Sequence, residues 1–497
     1  MINAVVELNR VICRTARLSR DPRFDGKFFI AVRTTRIFCR PVCPARSPKE
    51  DNIDYYPSAA AALQAGFRPC LRCRPESWGT AVWDGTSTTV SRALRLIHEG
   101  ALDGAGEDAN VDALAERLGI GSRHLRRLFF QHLGATPIAV AQAQRLLSAK
   151  KLIDETTLPL TSVALASRFG SIRRFNAAFQ ATYGRSPREL RSASRSASIS
   201  GPCTLQLRFR PPYDYDALLH FLAKRAIAGV EYIHGDMYRR SIVLDGQAGW
   251  LEVRPSSSHA LTLGVNLVGP NRLLHVVARV RRIFDLDADP LAINSSLKRD
   301  PLLGKLVKAR PGLRVPGAWD GFELGVRAIL GQQVSVAGAS TLTARLAARL
   351  GHPLPFQIDG LACTFPTAEE LVGADLAIGI PASRAETIRE FARAVATGIL
   401  AFDGRQSATA IRGIGPWTTQ YIAMRALSDP DAFPAGDLVL LRASGMKTTA
   451  ELERHAERWR PWRAYAAIHL WQGVKDGTIN LLHVDGKPHR KAAAGGG

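Results

Sequence analysis

The stretch "AIRGIGPWTTQYIAMRAL", residues 410–427, places two glycines between two segments of helical periodicity. Gly413 and Gly415 flank Ile414, so a tight turn here would join two helices and leave backbone N–H groups free at the start of the second. Free N–H groups at a helix N-terminus suit a phosphate. The pattern therefore predicts a phosphate-binding helical hairpin, although an ordinary helix end followed by a new helix would give the same two glycines.

An isolated acidic residue follows in "FPAGDLVLLRA", residues 433–443. Asp437 lies 20 residues after Trp417 and is the single carboxylate of this otherwise apolar run. A carboxylate at such a position either caps a helix or takes part in catalysis, and the residues alone leave both alternatives open.

The composition points to a nucleic-acid partner. The chain has 497 residues, enough for several domains, and 66 lysines and arginines against 44 acidic residues give a formal net charge of +22. Such an excess favours a polyanion, and nucleic acid rather than a membrane, because no run of 18 apolar residues is present. The N-terminal sequence has no signal-peptide pattern, so we expect a cytoplasmic, nucleoid-associated protein whose cysteines stay reduced.

An internal repeat lies between residues 90 and 191. The stretch "ALAERLGIGSRHLRRLFFQHLGATP" at 113–137 is echoed by "ALASRFGSIRRFNAAFQATYGRSP" at 164–187. Each copy predicts a short helix, a tight turn and a basic second helix, which is the helix-turn-helix layout of DNA-binding proteins. The second helices carry the candidate DNA contacts Arg123, Arg126, Arg127, Arg173 and Arg174. The two copies resemble the paired motifs of AraC-type transcription regulators; a helical bundle with a solvated basic face is the alternative.

Four cysteines form two close pairs, Cys39-x3-Cys43 and Cys70-x2-Cys73, with 26 residues between them. Two pairs joined by a loop suit a tetrahedral four-sulfur zinc site. A region of fewer than about 80 residues also needs such a cross-link, because it buries little core. We therefore expect one Zn²⁺ that is structural and also keeps its sulfur ligands deprotonated and nucleophilic. Purely structural zinc is the alternative.

The segments around these cysteines, "DGKFFIAVRTTRIFCRPVCPAR" and "AAAALQAGFRPCLRC", resemble the N-terminal domain of Ada-type methyl-phosphotriester repair proteins over residues 5–76. The resemblance implies that Cys39 accepts a methyl group from a DNA phosphotriester. Methylation would remove one negative charge from the cluster, so the surrounding arginines would attract the DNA backbone more strongly.

The second half resembles the helix-hairpin-helix DNA glycosylases, and within them 3-methyladenine DNA glycosylase II, over residues 205–472. Beside the hairpin and Asp437, the segments "RPPYDYDALLHFLAKRAIAGVE" and "GFELGVRAILGQQVSVAGA" carry this resemblance. It implies that Asp437 stabilises the sugar cation that forms as an alkylated base leaves, without a cofactor. It also implies a base pocket in which aromatic faces attract a cationic, flipped-out base, lined by Trp417, Tyr421, Trp471 and Phe221. Plain core packing is the alternative for each of these aromatic residues.

Several positions depart from the glycosylase pattern. Trp417 stands where relatives with strand-cleaving lyase activity have a lysine, which implies a monofunctional hydrolase. Gln333 stands where relatives insert an apolar wedge into the DNA, and it joins Gly413 and Gly415 among the implied DNA contacts. Leu438 replaces an aromatic residue of some relatives, and residues 401–415 look short for the first helix of the hairpin.

Together these observations predict a multidomain α+β protein of DNA alkylation repair and response. Its expected parts are a zinc domain (1–80), an all-α double helix-turn-helix domain (86–190), a linker (191–202), a small β-sheet and helix domain (203–285), an all-α helix-hairpin-helix domain (286–482) and a disordered tail (483–497). Expected partners are RNA polymerase and double-stranded DNA with alkylated bases, methyl phosphotriesters or promoter sites, and no membrane. A transcription regulator whose glycosylase-like half only binds DNA is the alternative. The target promoter, the lesion range and the oligomeric state stay open.

Overall fold

The computed structural model of the chain describes residues 8–21, 24–75, 88–98, 100–102, 110–156, 158–192, 203–244, 246–266, 272–400, 402 and 411–479. The predicted multidomain α+β fold class is confirmed. No helix within these ranges is long and apolar enough to cross a membrane. The expectations for the disordered tail, for most of the linker and for the first helix of the hairpin concern residues outside these ranges.

The cysteine region is a four-stranded sheet with the strand order β3-β1-β2-β4. Its elements are α1 (Arg10–Leu18), β1 (Phe29–Val32), β2 (Ile37–Cys39), a 3₁₀ turn (Glu50–Asn52), β3 (Ile53–Tyr56), α2 (Ala59–Gln64) and β4 (Arg68–Pro69). Phe29, Phe38 and Phe67 form a small core with α2. Because β2 and β4 run parallel, with Phe38 opposite Pro69, the cysteines at the ends of both strands emerge at one edge of the sheet.

In the described part of the next region there are seven helices. They are α3 (Thr88–His98), α4 (Val111–Arg117), α5 (Ser122–Leu133), α6 (Pro137–Glu155), α7 (Leu160–Ala166), α8 (Ile172–Tyr183) and α9 (Pro187–Ser192). The helix pairs α4–α5 and α7–α8 are the two helix-turn-helix units, and α6, with 19 residues, connects them. Phe129 of α5 and Phe175 of α8 belong to separate hydrophobic clusters, and the cluster of Phe175 continues into the sheet region that follows. The last helix continues to Ser192, slightly beyond the expected boundary at 190.

A five-stranded antiparallel sheet follows, with the strand order β5-β9-β8-β7-β6. Its strands are β5 (Cys203–Arg208), β6 (Glu231–His234), β7 (Met237–Leu244), β8 (Gln247–Ser257) and β9 (Ala260–Asn266), and α10 (Tyr215–Ala223) lies between β5 and β6 in the chain. Leu205 and Leu207 of β5 are buried while the residues beside them in the strand are not, which is the period of two of a strand with one face in the core.

The last region is mainly helical. Its helices are α11 (Leu273–Ile283), α12 (Pro290–Leu297), α13 (Pro301–Ala309), α14 (Gly321–Leu330), α15 (Val336–Leu350), α16 (Ala368–Val372), α17 (Ala382–Ala396), α18 (Pro416–Ala426), α19 (Leu438–Ser444), α20 (Thr449–Ala456) and α21 (Arg463–Lys475), with a 3₁₀ turn at Glu457–Trp459.

One expectation for this region needs correction, because the region is not all-α. A two-stranded sheet of β10 (Pro353–Ile358) and β11 (Leu361–Cys363) interrupts the helices. The sequence does not predict this hairpin, because "PLPFQI" contains two prolines, which normally argue against a strand.

Candidate functional site

The four paired cysteines converge at the sheet edge. Cys39 ends β2 and Cys43 follows it on a turn, while Cys70 follows β4 and Cys73 lies on the next turn. Their four sulfur atoms all lie within 4.8 Å of one another. Cys70 and Cys73 are buried, whereas Cys39 and Cys43 are partly exposed. A reactant can therefore approach the cluster from the side of Cys39 and Cys43.

This sulfur cluster fits a tetrahedral metal ion. Sulfurs bound to Zn²⁺ at about 2.3 Å lie roughly 3.8 Å apart, within the observed spread. In the crowded cluster a hydrogen bond with Cys43 raises the pKa of the Cys39 thiol, and a hydrogen bond with Cys39 lowers the pKa of the Cys70 thiol. Four thiols so close cannot all ionise unless a cation lies among them. The donor set is one that a divalent, thiophilic cation fits.

Arg40 connects the cysteine cluster to the second half of the chain. Its backbone N–H points at the sulfur of Cys73 at 3.4 Å, and its buried guanidinium donates to the Cys73 carbonyl at 2.9 Å. The same guanidinium forms an ion pair with the buried carboxylate of Asp25. The backbone carbonyl of Asp25 accepts a hydrogen bond from Nε of Arg210 at 3.3 Å. The support of the cluster is thus in contact with the five-stranded sheet region.

The predicted DNA-contacting arginines lie on the exposed faces of α5 and α8. Arg123, Arg126 and Arg127 are exposed on α5, and Arg173 and Arg174 are exposed on α8. Within the described part of the chain none of these five side chains forms an ion pair with a carboxylate. Their positive charge is therefore directed to solvent, where a polyanion can meet it.

The glycine turn predicted before α18 is present. Gly413 has a φ of +87°, in the left-handed region that favours glycine, and a Cβ there would lie 2.4 Å from Oγ1 of Thr387. Gly415 is the N-cap residue of α18 and offers no side chain to the first N–H groups of that helix. The hairpin therefore needs glycine at position 413, while position 415 leaves backbone donors available to a phosphate.

Gln333, at the predicted wedge position, lies in the loop between α14 and α15. It is exposed and has a φ of +58°. Gln332 fastens this loop to the hairpin, because its Nε2 donates to the Gly413 carbonyl at 2.9 Å. Arg384 donates to the Gln332 carbonyl at 2.7 Å. The neighbouring Val334 is 39% exposed, so an apolar side chain stands next to the polar Gln333.

Asp437 caps α19 and is also held by two tryptophans. Its Oδ1 accepts hydrogen bonds from the backbone N–H groups of Val439 at 2.9 Å and Leu440 at 3.0 Å. The indole N–H of Trp471 donates to the same oxygen at 3.1 Å, and that of Trp417 donates to Oδ2 at 3.3 Å. The carboxylate remains partly exposed, so α18, α19 and α21 fix it at a surface that a ligand can reach.

Aromatic side chains surround this carboxylate. Trp417 stacks on Tyr421 with ring centroids 5.1 Å apart and planes at 10°. The guanidinium of Arg425 donates to the Tyr421 hydroxyl at 2.8 Å and lies 4.9 Å from the ring centre of Phe221. Arg225 lies 3.7 Å from the centre of the same ring. Phe221, which is predicted to bind a cationic base, therefore already has two arginines of the protein against its ring.

The sequence does not predict Arg225 and Arg425 as part of this site, although their spacing from the aromatic residues is a signal for it. Each follows its aromatic partner, Phe221 or Tyr421, by four residues, the spacing that brings side chains together on a helix. Burial opposes ionisation of the Tyr421 hydroxyl, but Arg425 and Arg225 outweigh burial and lower its pKa. The aromatic cluster thus has positive charge of the protein beside it.

Comparison with known protein families gives four matches along the chain. Residues 12–76 match the metal binding domain of Ada, and residues 114–193 match a helix-turn-helix domain. Residues 204–320 match the AlkA N-terminal domain, and residues 326–461 match the HhH-GPD superfamily of base excision DNA repair proteins. The resemblances inferred from the sequence are confirmed.

Individual relatives cover different shares of the chain. A probable bifunctional transcriptional activator/DNA repair enzyme AlkA from Mycobacterium tuberculosis is 41% identical over 477 residues, which cover 92% of this chain and 95% of that protein. DNA-3-methyladenine glycosylase 2 of Escherichia coli is 39% identical over 278 residues, 53% of this chain and 95% of that protein. The bifunctional transcriptional activator/DNA repair enzyme Ada of Escherichia coli is 41% identical over 128 residues, 26% of this chain and 34% of that protein.

Replacement of Gly413 by alanine should destabilise the hairpin. The new Cβ would stand at a φ of +87° and 2.4 Å from the Thr387 hydroxyl, and such strain costs roughly 1–3 kcal/mol. We expect a lower unfolding midpoint in denaturant and weaker binding to duplex DNA. Gly415→Ala is the matched control, because a Cβ there meets nothing within 4 Å and its φ is −86°. Equal unfolding midpoints for the two variants would contradict this account of the turn.

Proposed function

The chain belongs to the family of bifunctional transcriptional activators and DNA repair enzymes of the AlkA type, and on that premise we propose that it excises alkylated bases of the 3-methyladenine type from DNA. The observation that carries the proposal is the carboxylate of Asp437, fixed by two indole N–H groups beside the stacked rings of Trp417 and Tyr421. We further propose that Cys39 accepts methyl groups from DNA phosphotriesters and that the helix-turn-helix region couples this event to transcription.

Duplex DNA would be held by phosphate contacts at the hairpin. The N–H groups that follow Gly415 suit a phosphate, and the exposed loop at Gln333 lies beside the hairpin through the bond of Gln332 to Gly413. A base rotated out of the duplex leaves a gap in the stack, which Gln333 or the adjacent Val334 would enter. The rotated base would then lie against the stacked rings of Trp417 and Tyr421.

The excision step needs a negative charge more than it needs an acid. An alkylated purine is already cationic, so the bond between sugar carbon and base nitrogen breaks with its electron pair going to the base. The sugar is left with developing positive charge, which Asp437 would stabilise at short range. Water then adds to the sugar carbon and releases its proton to solvent. Trp417 and Trp471 would keep the carboxylate oriented throughout, so that no reorganisation is needed when the charge develops.

The activity would be that of a monofunctional hydrolase. A lyase step requires an amine that attacks the sugar carbon, and Trp417 occupies the position after the hairpin where relatives with that activity have a lysine. Its indole N–H is engaged with Asp437 and cannot form a Schiff base. The products would be a free base and an abasic site in an uncut strand.

Cys39 would accept a methyl group in a stoichiometric reaction. Its thiolate forms the new S–CH₃ bond as the bond between carbon and phosphotriester oxygen breaks, and the oxygen keeps the electron pair as an ordinary phosphodiester anion. Cys39, Cys43, Cys70 and Cys73 would hold one Zn²⁺, which keeps such thiolates ionised at neutral pH. The loss of one negative charge from the cluster would strengthen the binding of promoter DNA. Recruitment of RNA polymerase in the cytoplasm would follow from that binding. A regulator with an inactive glycosylase-like half is the competing function.

Asp437→Asn should slow base release by about a hundredfold or more, because the charge that opposes the sugar cation is removed. Asparagine also caps helices, so α19 and the fold should persist. Release of 3-methyladenine from alkylated duplex DNA, under single turnover, measures the effect. Strand breaks that borohydride traps on the protein would contradict the monofunctional assignment, and no release by the folded wild type would favour the regulator-only function.

Trp471→Phe tests whether the indole orients the carboxylate. The variant keeps an aromatic face but loses the N–H that donates to Asp437 at 3.1 Å. A hydrogen bond to a charged group is worth about 1.5–3 kcal/mol, so we expect the single-turnover rate to fall roughly tenfold to a hundredfold with little change in affinity for duplex DNA. Trp462→Phe, at the start of the same helix and without a bond to Asp437, is the control. Equal rates for both variants would refute the orienting role.

Cys39→Ser should abolish methyl uptake and leave base release intact. Wild-type protein exposed to methylated DNA should gain one methyl group on Cys39, which mass spectrometry of peptides detects, and should then bind promoter DNA more tightly at low salt. Cys203→Ser, outside the cluster, serves as the control and should behave like wild type. An unmodified Cys39 after such exposure would leave the cluster with a structural role only.

A further inference from the structure

The two recognition helices have the same local geometry and can be compared position by position. Both α5 and α8 contain 12 residues. Each ends at a left-handed glycine, Gly134 with φ 65° and ψ 16° and Gly184 with φ 64° and ψ 16°. Each glycine N–H donates at 3.0 Å to a carbonyl one turn back. Each residue of α5 therefore corresponds to the residue of α8 that lies 50 positions later in the chain.

The buried faces of the two helices also correspond. The buried residues are Leu125, Phe129 and Leu133 in α5 and Phe175, Phe179 and Tyr183 in α8. Because these positions differ by 50 in each case, the same side of each helix faces its core. The exposed positions of α5 are then the structural equivalents of the exposed positions of α8.

The exposed faces differ in chemistry. Arg123 in α5 corresponds to Arg173 in α8, so both helices present an arginine in their first turn. One turn later Arg126 in α5 corresponds to Asn176 in α8, and both side chains are exposed. Phe130 in α5 corresponds to Gln180 in α8, and Ser122 in α5 corresponds to the exposed Ile172 in α8. The two helices therefore differ at these positions as well.

The neighbouring cations also differ: Arg127 in α5 corresponds to Ala177 in α8, and Arg174 in α8 corresponds to His124 in α5. His124 contacts the Arg127 guanidinium at 2.8 Å, which positions that side chain. Within the described residues neither Arg126 nor Asn176 is engaged by another side chain, so both are available to a base edge.

The side chains on these faces favour different bases. Arginine pairs in a bidentate manner with O6 and N7 of guanine, and asparagine and glutamine pair with N6 and N7 of adenine. An exposed aliphatic side chain such as Ile172 suits the methyl group of thymine. Residues near the N-terminus of a recognition helix are those that reach base edges in the major groove.

We propose that α5 and α8 favour different bases in the promoter site, with guanine in the half-site that faces α5 and adenine or thymine in the half-site that faces α8. Arg126 and Asn176 are the residues that set the difference. The two half-sites lie about one helical turn of DNA apart, or roughly 10 base pairs. This inference rests on the proposed function, in which the helix-turn-helix region binds promoter DNA.

The test is a selection of binding sites from a pool of random duplexes by the full-length protein. We expect an enriched sequence with guanine in one half and adenine or thymine in the other. Arg126→Asn should reduce the preference for guanine about tenfold or more in its half-site alone, and Asn176→Arg should replace adenine by guanine in the other half-site. Arg299→Ala, exposed in the last region of the chain, is the control and should leave the selected sequence unchanged.

The outcomes separate the inference from the function on which it rests. An enriched sequence with two similar half-sites, or one that neither substitution alters in its own half, would overturn the asymmetric readout and leave promoter binding in place. Failure to enrich any sequence, by a protein that still binds duplex DNA, would overturn promoter recognition and the inference together. A thermal unfolding curve equal to that of the wild type shows that each variant is folded.

Discussion

The position of the Asp437 carboxylate depends on three helices at once. It caps α19, and indole N–H groups from α18 and α21 complete its contacts. A helix cap alone would leave the side chain free to rotate towards water, whereas four donors from three elements fix both oxygens. The hairpin, the aromatic stack and the last helix must therefore all be in place before this carboxylate can take the catalytic role that we propose for it.

The cysteine cluster depends on a comparable constraint. Arg40 ties the backbone beside Cys73 to the buried Asp25, and Asp25 contacts Arg210 of the sheet region through its carbonyl. A second contact is the ion pair of Lys27 with Asp289, which caps α12. The loop at residues 24–27 thus connects the cysteine cluster to the second half of the chain. The two candidate sites are therefore supported by one continuous set of contacts.

The sequence predicted the features that follow from local spacing. The cysteine pairs, the glycines of the hairpin and the two helix-turn-helix copies each depend on residues close together in the chain, and all appear where the pattern placed them. Contacts that depend on tertiary packing were not predictable in this way. Trp471 reaches Asp437 from 34 residues away, and Arg40 reaches Asp25 from 15 residues away, so neither pairing leaves a periodic signal. The β10–β11 hairpin was not predicted for a different reason, because β10 contains two prolines.

We propose that one chain carries out a stoichiometric and a catalytic reaction on damaged DNA. The most direct measurement mixes the protein with excess duplex DNA that contains both methyl phosphotriesters and 3-methyladenine, and counts methyl groups on Cys39 and free bases in the same sample over time. We predict that methylation of Cys39 stops at one methyl per chain, while base release continues to many molecules per chain. Base release that is absent, or that also stops at one per chain in a folded protein, would contradict the account.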